Sequence, residues 1–135
     1  MTSAASEVQK AIFGTLVEDA SVNALVGARV YDRVPETTPF PYLTFGRTGV
    51  YDWSTGTEIG TEQIITLHAW SKAKGNKEAL ELIEAVRARL EDATLPLAGH
   101  VMVNLRLEYS EVRFDEDLAV HHGLVRFRVV TEQAD

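Results

Sequence analysis

Two runs of extended chain are longer than any helix available to cover them. Pro41 to Trp53 and Val101 to Phe114 both read as continuous strands, and at ~3.3 Å per residue each would reach roughly 40–46 Å. The strongest helical pattern, Lys77 to Glu91, places Ala79, Leu82, Ile83, Val86 and Leu90 on one side. At ~1.5 Å per residue it is only ~22 Å long. Strands that outrun their cover require a bulge, a bend or a neighbouring molecule. The chain is therefore expected to fold as a small α+β unit that assembles.

The chain is 135 residues long, with 45% apolar and 24% charged residues. That length predicts one domain over residues 1–135, and that balance predicts an ordered core. Cysteine is absent, which removes disulfides and thiolate metal sites and fits an intracellular origin. MTSAASEVQK lacks the basic-then-apolar pattern of a secretory leader. No apolar stretch reaches the ~18 residues of a membrane span, so no membrane partner is expected. The net charge of −7 argues against a grip on nucleic acid, which needs clustered cations. Lys72, Lys74 and Lys77 are read as a solvated loop.

Ser6-x-x-Gln9 has the form of a capping box and opens a helix striped by Val8, Ile12 and Leu16. Asp19 to Leu25 allows a further helical turn, ended at Gly27. Val30 and Tyr31 can begin a short strand, and Pro35, Pro39 and Pro41 make Asp32 to Phe40 a loop. Tyr42 to Tyr51 and Gln63 to Ser71 alternate as strands, with Gly46 and Gly49 permitting a bulge in the first. In the second, Ile65, Leu67 and Ala69 share one face, and Ile64, Thr66, His68 and Trp70 the other. Asn76 is placed to cap the main helix. The next strand puts Val101, Val103, Leu105, Leu107 and Tyr109 on one face. Val112 and Phe114 fall on the opposite parity, which a bulge near Ser110 would repair. Val120 to Thr131 closes the chain with Val125, Phe127 and Val129 inward. The expected architecture is a twisted, mainly antiparallel sheet of about four main strands with helices on one face.

Catalytic spacings do not occur. There is no H-x-x-x-H, no H-E-x-x-H, no phosphate-binding glycine pattern and no G-x-S-x-G. Asp115-Glu116-Asp117 lacks the calcium-loop pattern and reads as a solvated acidic turn. His121 and His122 point to opposite faces of their strand and cannot share a metal from there. These absences argue against an enzyme, and no metal or cofactor is implied. Aromatic residues carry more weight, because Trp and Tyr anchor interfaces. Trp53 stands in a polar, glycine-bearing turn that reads as too polar to fold on itself and as ordering against a neighbour. The candidate interface residues are Trp53, Thr55, Glu58 and Ile59 in that turn, with Val112, Phe114, Asp115 and Glu116.

Several stretches, in order, resemble one family. They are Val8-Gln9-Lys10-Ala11-Ile12, Leu25 through Pro35, Phe40-Pro41-Tyr42-Leu43-Thr44-Phe45-Gly46 and Thr66-Leu67-His68-Ala69-Trp70-Ser71. The helix Asn76 to Leu90 follows, then Gly99-His100-Val101, Asn104-Leu105-Arg106 and Gly123 through Arg128. Together they are similar to the tail-completion or tail-terminator-like proteins of long-tailed bacteriophages, prophages and gene transfer agents. The resemblance implies a structural virion component: a homo-oligomeric, usually hexameric ring that caps the tail tube and meets the head-side connector. DNA would pass through its channel without specific binding, and an acidic wall suits that passage. The other readings are a stopper-type connector ring, or a small ligand-binding or enzyme domain using the sheet face near His68, Trp70 and His122.

Overall fold

The computed structural model describes residues 2–134. Two helices, α1 (Ala4–Glu18) and α2 (Ala20–Val26), lead into β1 (Val30–Tyr31), β2 (Tyr42–Asp52) and β3 (Gly60–Ser71). Then come α3 (Lys77–Leu90), β4 (His100–Asp115) and β5 (Val120–Gln133). The strands form one open sheet in the order β1-β2-β3-β5-β4. Only β1–β2 is parallel; the other pairings are antiparallel. The four long strands are those expected from the sequence, and two-residue β1 adds a fifth. The two hairpins meet through β3 and β5. Helix α3 therefore leads past β5 to β4, and β4 becomes an edge strand.

One face of the sheet is packed by all three helices. Val8, Ile12 and Leu16 of α1 and Val22 and Val26 of α2 are fully buried, as are Leu82, Val86 and Leu90 of α3. They meet Leu43, Ile65, Leu67, Leu105, Val125, Phe127 and Val129 from the strands in a continuous core. Gly123 makes the closest seat. A Cβ there would stand 2.7 Å from Ile83 Cδ1 and 3.2 Å from the Ala69 methyl. The absent side chain is thus what lets α3 sit down on β5.

Local chemistry corrects several boundaries. The cap of α1 is Ser3, whose Oγ accepts the Ser6 N–H at 3.1 Å. Ser6 itself is inside the helix, because Ala4 and Ala5, strong helix formers, extend it by a turn. Asp19 caps α2 through Val22 N–H at 3.0 Å, and Gly27 ends it at φ 59°. Asn76 does precede α3 but makes no side-chain cap. Its Oδ1 lies 2.7 Å from His121 Nδ1 instead, a stronger partner than the solvated first turn.

The strand bulges follow the sequence reading in β2 and near Ser110 and depart from it at one place in β4. In β2 the register slips between Phe45 and Thr48, where Gly46 allowed it. In β4 it slips twice, between Met102 and Asn104 and between Leu107 and Tyr109. The first slip was not visible in the alternation. It turns Met102 into the core and leaves Val101 and Val103 exposed, whereas alternation had placed both on one face with Leu105 and Leu107. The second lies close to the bulge expected near Ser110. Falling before Tyr109, it moves that ring to the open face, where Arg126 lies 5.8 Å from its centroid. It also returns Val112 and Phe114 to the helix side, opposite Gly123 and His121.

Replacing Gly123 by Val should lower stability by about 1–3 kcal/mol through overpacking, read as a lower urea midpoint at unchanged m-value. An unaltered midpoint would mean that α3 can lift without cost.

Candidate functional site

The sheet face away from the helices is open, and cross-strand register gathers His68, Trp70 and His122 upon it. Trp70 pairs with Tyr42 and His122, and His68 pairs with Thr44. The Trp70 and His122 rings stack with centroids 4.1 Å apart and planes 5° apart. Trp70 Nε1–H donates to Thr44 Oγ1 at 3.0 Å. His68 Nδ1 and His122 Nε2 are 2.7 Å apart, so one imidazole N–H donates to the bare nitrogen of the other. Gly46 makes room for this pair, because any Cβ there would run into the His68 ring.

A shared hydrogen requires that one of the two facing nitrogens be bare, so the pair resists taking a proton on both rings. Partial burial lowers the pKa of His68, and the Arg126 charge adds to the effect. Burial also lowers that of His122, helped by His68 and Arg113 and opposed by Asp115 and Glu111. The unfolded chain takes up these protons near the ordinary value of 6.5, and the folded chain only at lower pH. Folding stability is then full above that value and falls as pH drops through it toward the folded pKa values. Urea midpoints at pH 7.5 and 5 should show this loss. In His122→Phe, which keeps a ring on Trp70 but removes a proton site, the pH dependence should flatten. An unchanged slope would mean the pair titrates alike in both states.

Among the described residues, no group of three or more His, Asp or Glu is placed to hold a metal ion. The imidazoles face each other and an indole rather than a Ser or Thr hydroxyl, the geometry that nucleophilic catalysis needs.

The residues chosen from sequence fall into two sets at opposite ends of the strands. Trp53, Thr55, Glu58 and Ile59 lie in the turn between β2 and β3. Val112, Phe114, Asp115 and Glu116 lie where β4 turns into β5. The register from Gly60–Glu132 to Ser71–His121 separates the ends by about 36 Å. The turn is folded on itself, which corrects the expectation that it needs a neighbour. Asp52 Oδ1 accepts from Ser54 N–H and Oγ–H, and Ser54 Oγ accepts the Gly60 N–H. Thr55 Oγ1 accepts from Thr57 and Glu58 N–H. Its short polar side chains supply the partners its backbone lacks. Trp53 and Ile59 nevertheless remain 45% and 65% exposed. At the other end Phe114 is 50% exposed and packs on His121 at 5.0 Å. Val112 is half-buried against the core. Asp115 Oδ1 accepts the Leu118 N–H at 3.0 Å, and Glu116 is exposed.

Sequence reasoning missed a cleft beside Trp70. Arg33, Phe40, Tyr42, Trp70, Lys72 and Leu118 line about 600 Å³ of space there. The signal was the aromatic pair Phe40 and Tyr42 flanking Pro41 at the end of the proline-rich loop.

Residues 10–132 match the family model described as tail completion protein gp17. The chain belongs to the tail completion protein gp17 family. The match runs from within α1 through α2, α3, both turns and the whole sheet bar its last residue, and it agrees with the resemblance carried by the ordered sequence stretches. Among solved structures, the tail completion fold described above is similar to a chain from "Virion of native gene transfer agent (GTA) particle". The TM-score is 0.89 at 29% identity, over 98% of this chain and 99% of that one. Comparison with curated proteins found no match.

Proposed function

We propose that the chain is a structural subunit of a ring that terminates the tail tube of a phage or phage-like particle. The ring would join the tail to the head-side connector at the head-proximal end of the tail. Its partners would be copies of itself, the tail tube protein and the connector or stopper protein. Subunits would wait in the bacterial cytoplasm until assembly.

The observation that carries this reading is the end-to-end similarity to a chain of a gene transfer agent virion, 98% of one against 99% of the other. Family membership in tail completion proteins supports it. Physical features of the fold fit the same role. The sheet is open, and aromatic or aliphatic side chains stand exposed at both strand ends. A ring built of heterologous contacts buries such areas without leaving a free end. The net charge of −7 suits a channel wall past which a duplex slides without adhering. No described helix is long and apolar enough to cross a membrane, and the role asks for no cofactor and no catalysis.

Particles made without the chain should carry tails of irregular length, or heads and tails left unjoined, in negative-stain images. Adding the purified chain should restore joined particles. Normal joining in its absence would discard the terminator role, and density for the chain inside the capsid-side connector would favour a stopper ring.

A further inference from the structure

The turn between β2 and β3 and the cleft beside Trp70 carry apolar groups flanked by opposite charges, yet a chain cannot bring its own together. The turn presents Trp53 and Ile59 as an apolar tip. Asp52 and Glu58 flank it, and no cation lies between Asp52 and Gly60. The cleft is lined by the apolar groups of Phe40, Tyr42, Trp70 and Leu118 and by the charged Arg33, Lys72 and Asp32. Its volume of about 600 Å³ is that of a cleft able to receive a small-molecule-sized group (~300–1,000 Å³).

Both halves are held ready. The tip is braced by the Asp52, Ser54 and Thr55 hydrogen bonds. Hydrogen bonding to Ser54 also keeps the Asp52 carboxyl below its ordinary pKa, so the tip stays charged. On the other side Trp70 is fixed by Thr44 and His122. Phe40 lies 4.9 Å from Tyr42 and 4.8 Å from the Lys72 ammonium. Little ordering entropy remains to be lost on docking. Tip and cleft stand at opposite ends of the same strands, about 36 Å apart at ~3.3 Å per residue.

We infer that the Trp53–Ile59 tip of one copy docks in the Phe40–Tyr42–Trp70–Leu118 cleft of the next, a head-to-tail contact between copies of this chain. This rests on the ring reading above and specifies the surfaces that join its subunits. A contact between two different patches repeats around an axis and closes if the rotation allows. Apolar anchors meet at its centre and opposite charges at its rim, the arrangement that selects register as well as affinity.

The chain has no cysteine, so a covalent test has a clean background. Ile59 and Leu118 are 65% and 61% exposed. Ile59→Cys and Leu118→Cys, placed in one chain, should leave the thermal midpoint unchanged. Mild oxidation of the concentrated protein should then give a ladder on a non-reducing gel, ending at the closed ring. A control pair on the helical side, Phe13→Cys with Leu80→Cys, should give none. On the cysteine-pair background, Glu58→Lys should weaken the ladder at least tenfold, and adding Lys72→Glu should restore it. Rings seen on tail-tube ends with no ladder would overturn this docking while leaving the ring reading intact. Neither rings nor ladder would overturn both. A ladder equally strong in the control pair would mark random collision and also overturn the docking.

Discussion

The seating of α3 on β3 and β5 is the contact on which the rest of the molecule depends. Leu82, Val86 and Leu90 are fully buried there, and Gly123 lets Ile83 come down against Ala69. The same helix ties its C-terminal end to the edge of the sheet. Asp92 N–H donates to Leu105 O, and Leu107 N–H donates to Glu91 Oε2. Yet fourteen helical residues cover only ~21 Å of strand, whereas β4 alone has sixteen residues. The core is therefore complete at its centre, and the strand ends project beyond it. Those projecting ends carry the exposed Trp53, Ile59, Phe114 and Leu118. One economy of packing thus yields both a stable fold and unspent apolar surface.

Much of this was legible because the signals were periodic. The α1 stripe, the α3 stripe and the inward set of β5 all occupy the places their spacing assigned. The ordered stretches that resemble tail-completion proteins also held, because they coincide with structural elements rather than with a catalytic motif. What escaped was set by interactions that leave no period. The slip at Val103 is a single inserted residue, and alternation cannot show which of two valines is the extra one. Ser3 outcompeted Ser6 as a cap because two alanines between them favour helix. The polarity of residues 52–60, read as a need for a partner, is the means by which the turn satisfies itself. That His68, Trp70 and His122 meet was suggested by shared sheet face. Their stacking and the shared hydrogen depend on a register that only tertiary structure specifies.

The His68–His122 pair also shows how the open face tolerates polar groups. Each imidazole would lose hydration if a neighbour covered it. Their mutual hydrogen bond satisfies one nitrogen on each ring before any partner arrives. With Trp70 held by Thr44 and Glu62 paired to Arg128 at 2.6 Å, much of the face meets its polar requirements internally. Such a surface can be buried at lower desolvation cost than one with free donors and acceptors.

Strand β5 lies between β3 and β4 but follows both in the chain. Synthesis runs from the N-terminal side, so the keystone of the sheet is the last strand to leave the ribosome. Until it arrives, β3 and β4 have no partner on their facing edges, and Phe127 is missing from the middle of the core. The sheet can therefore close only after its four other strands have been made. Losing the final strand would remove the centre of the molecule, not trim its margin.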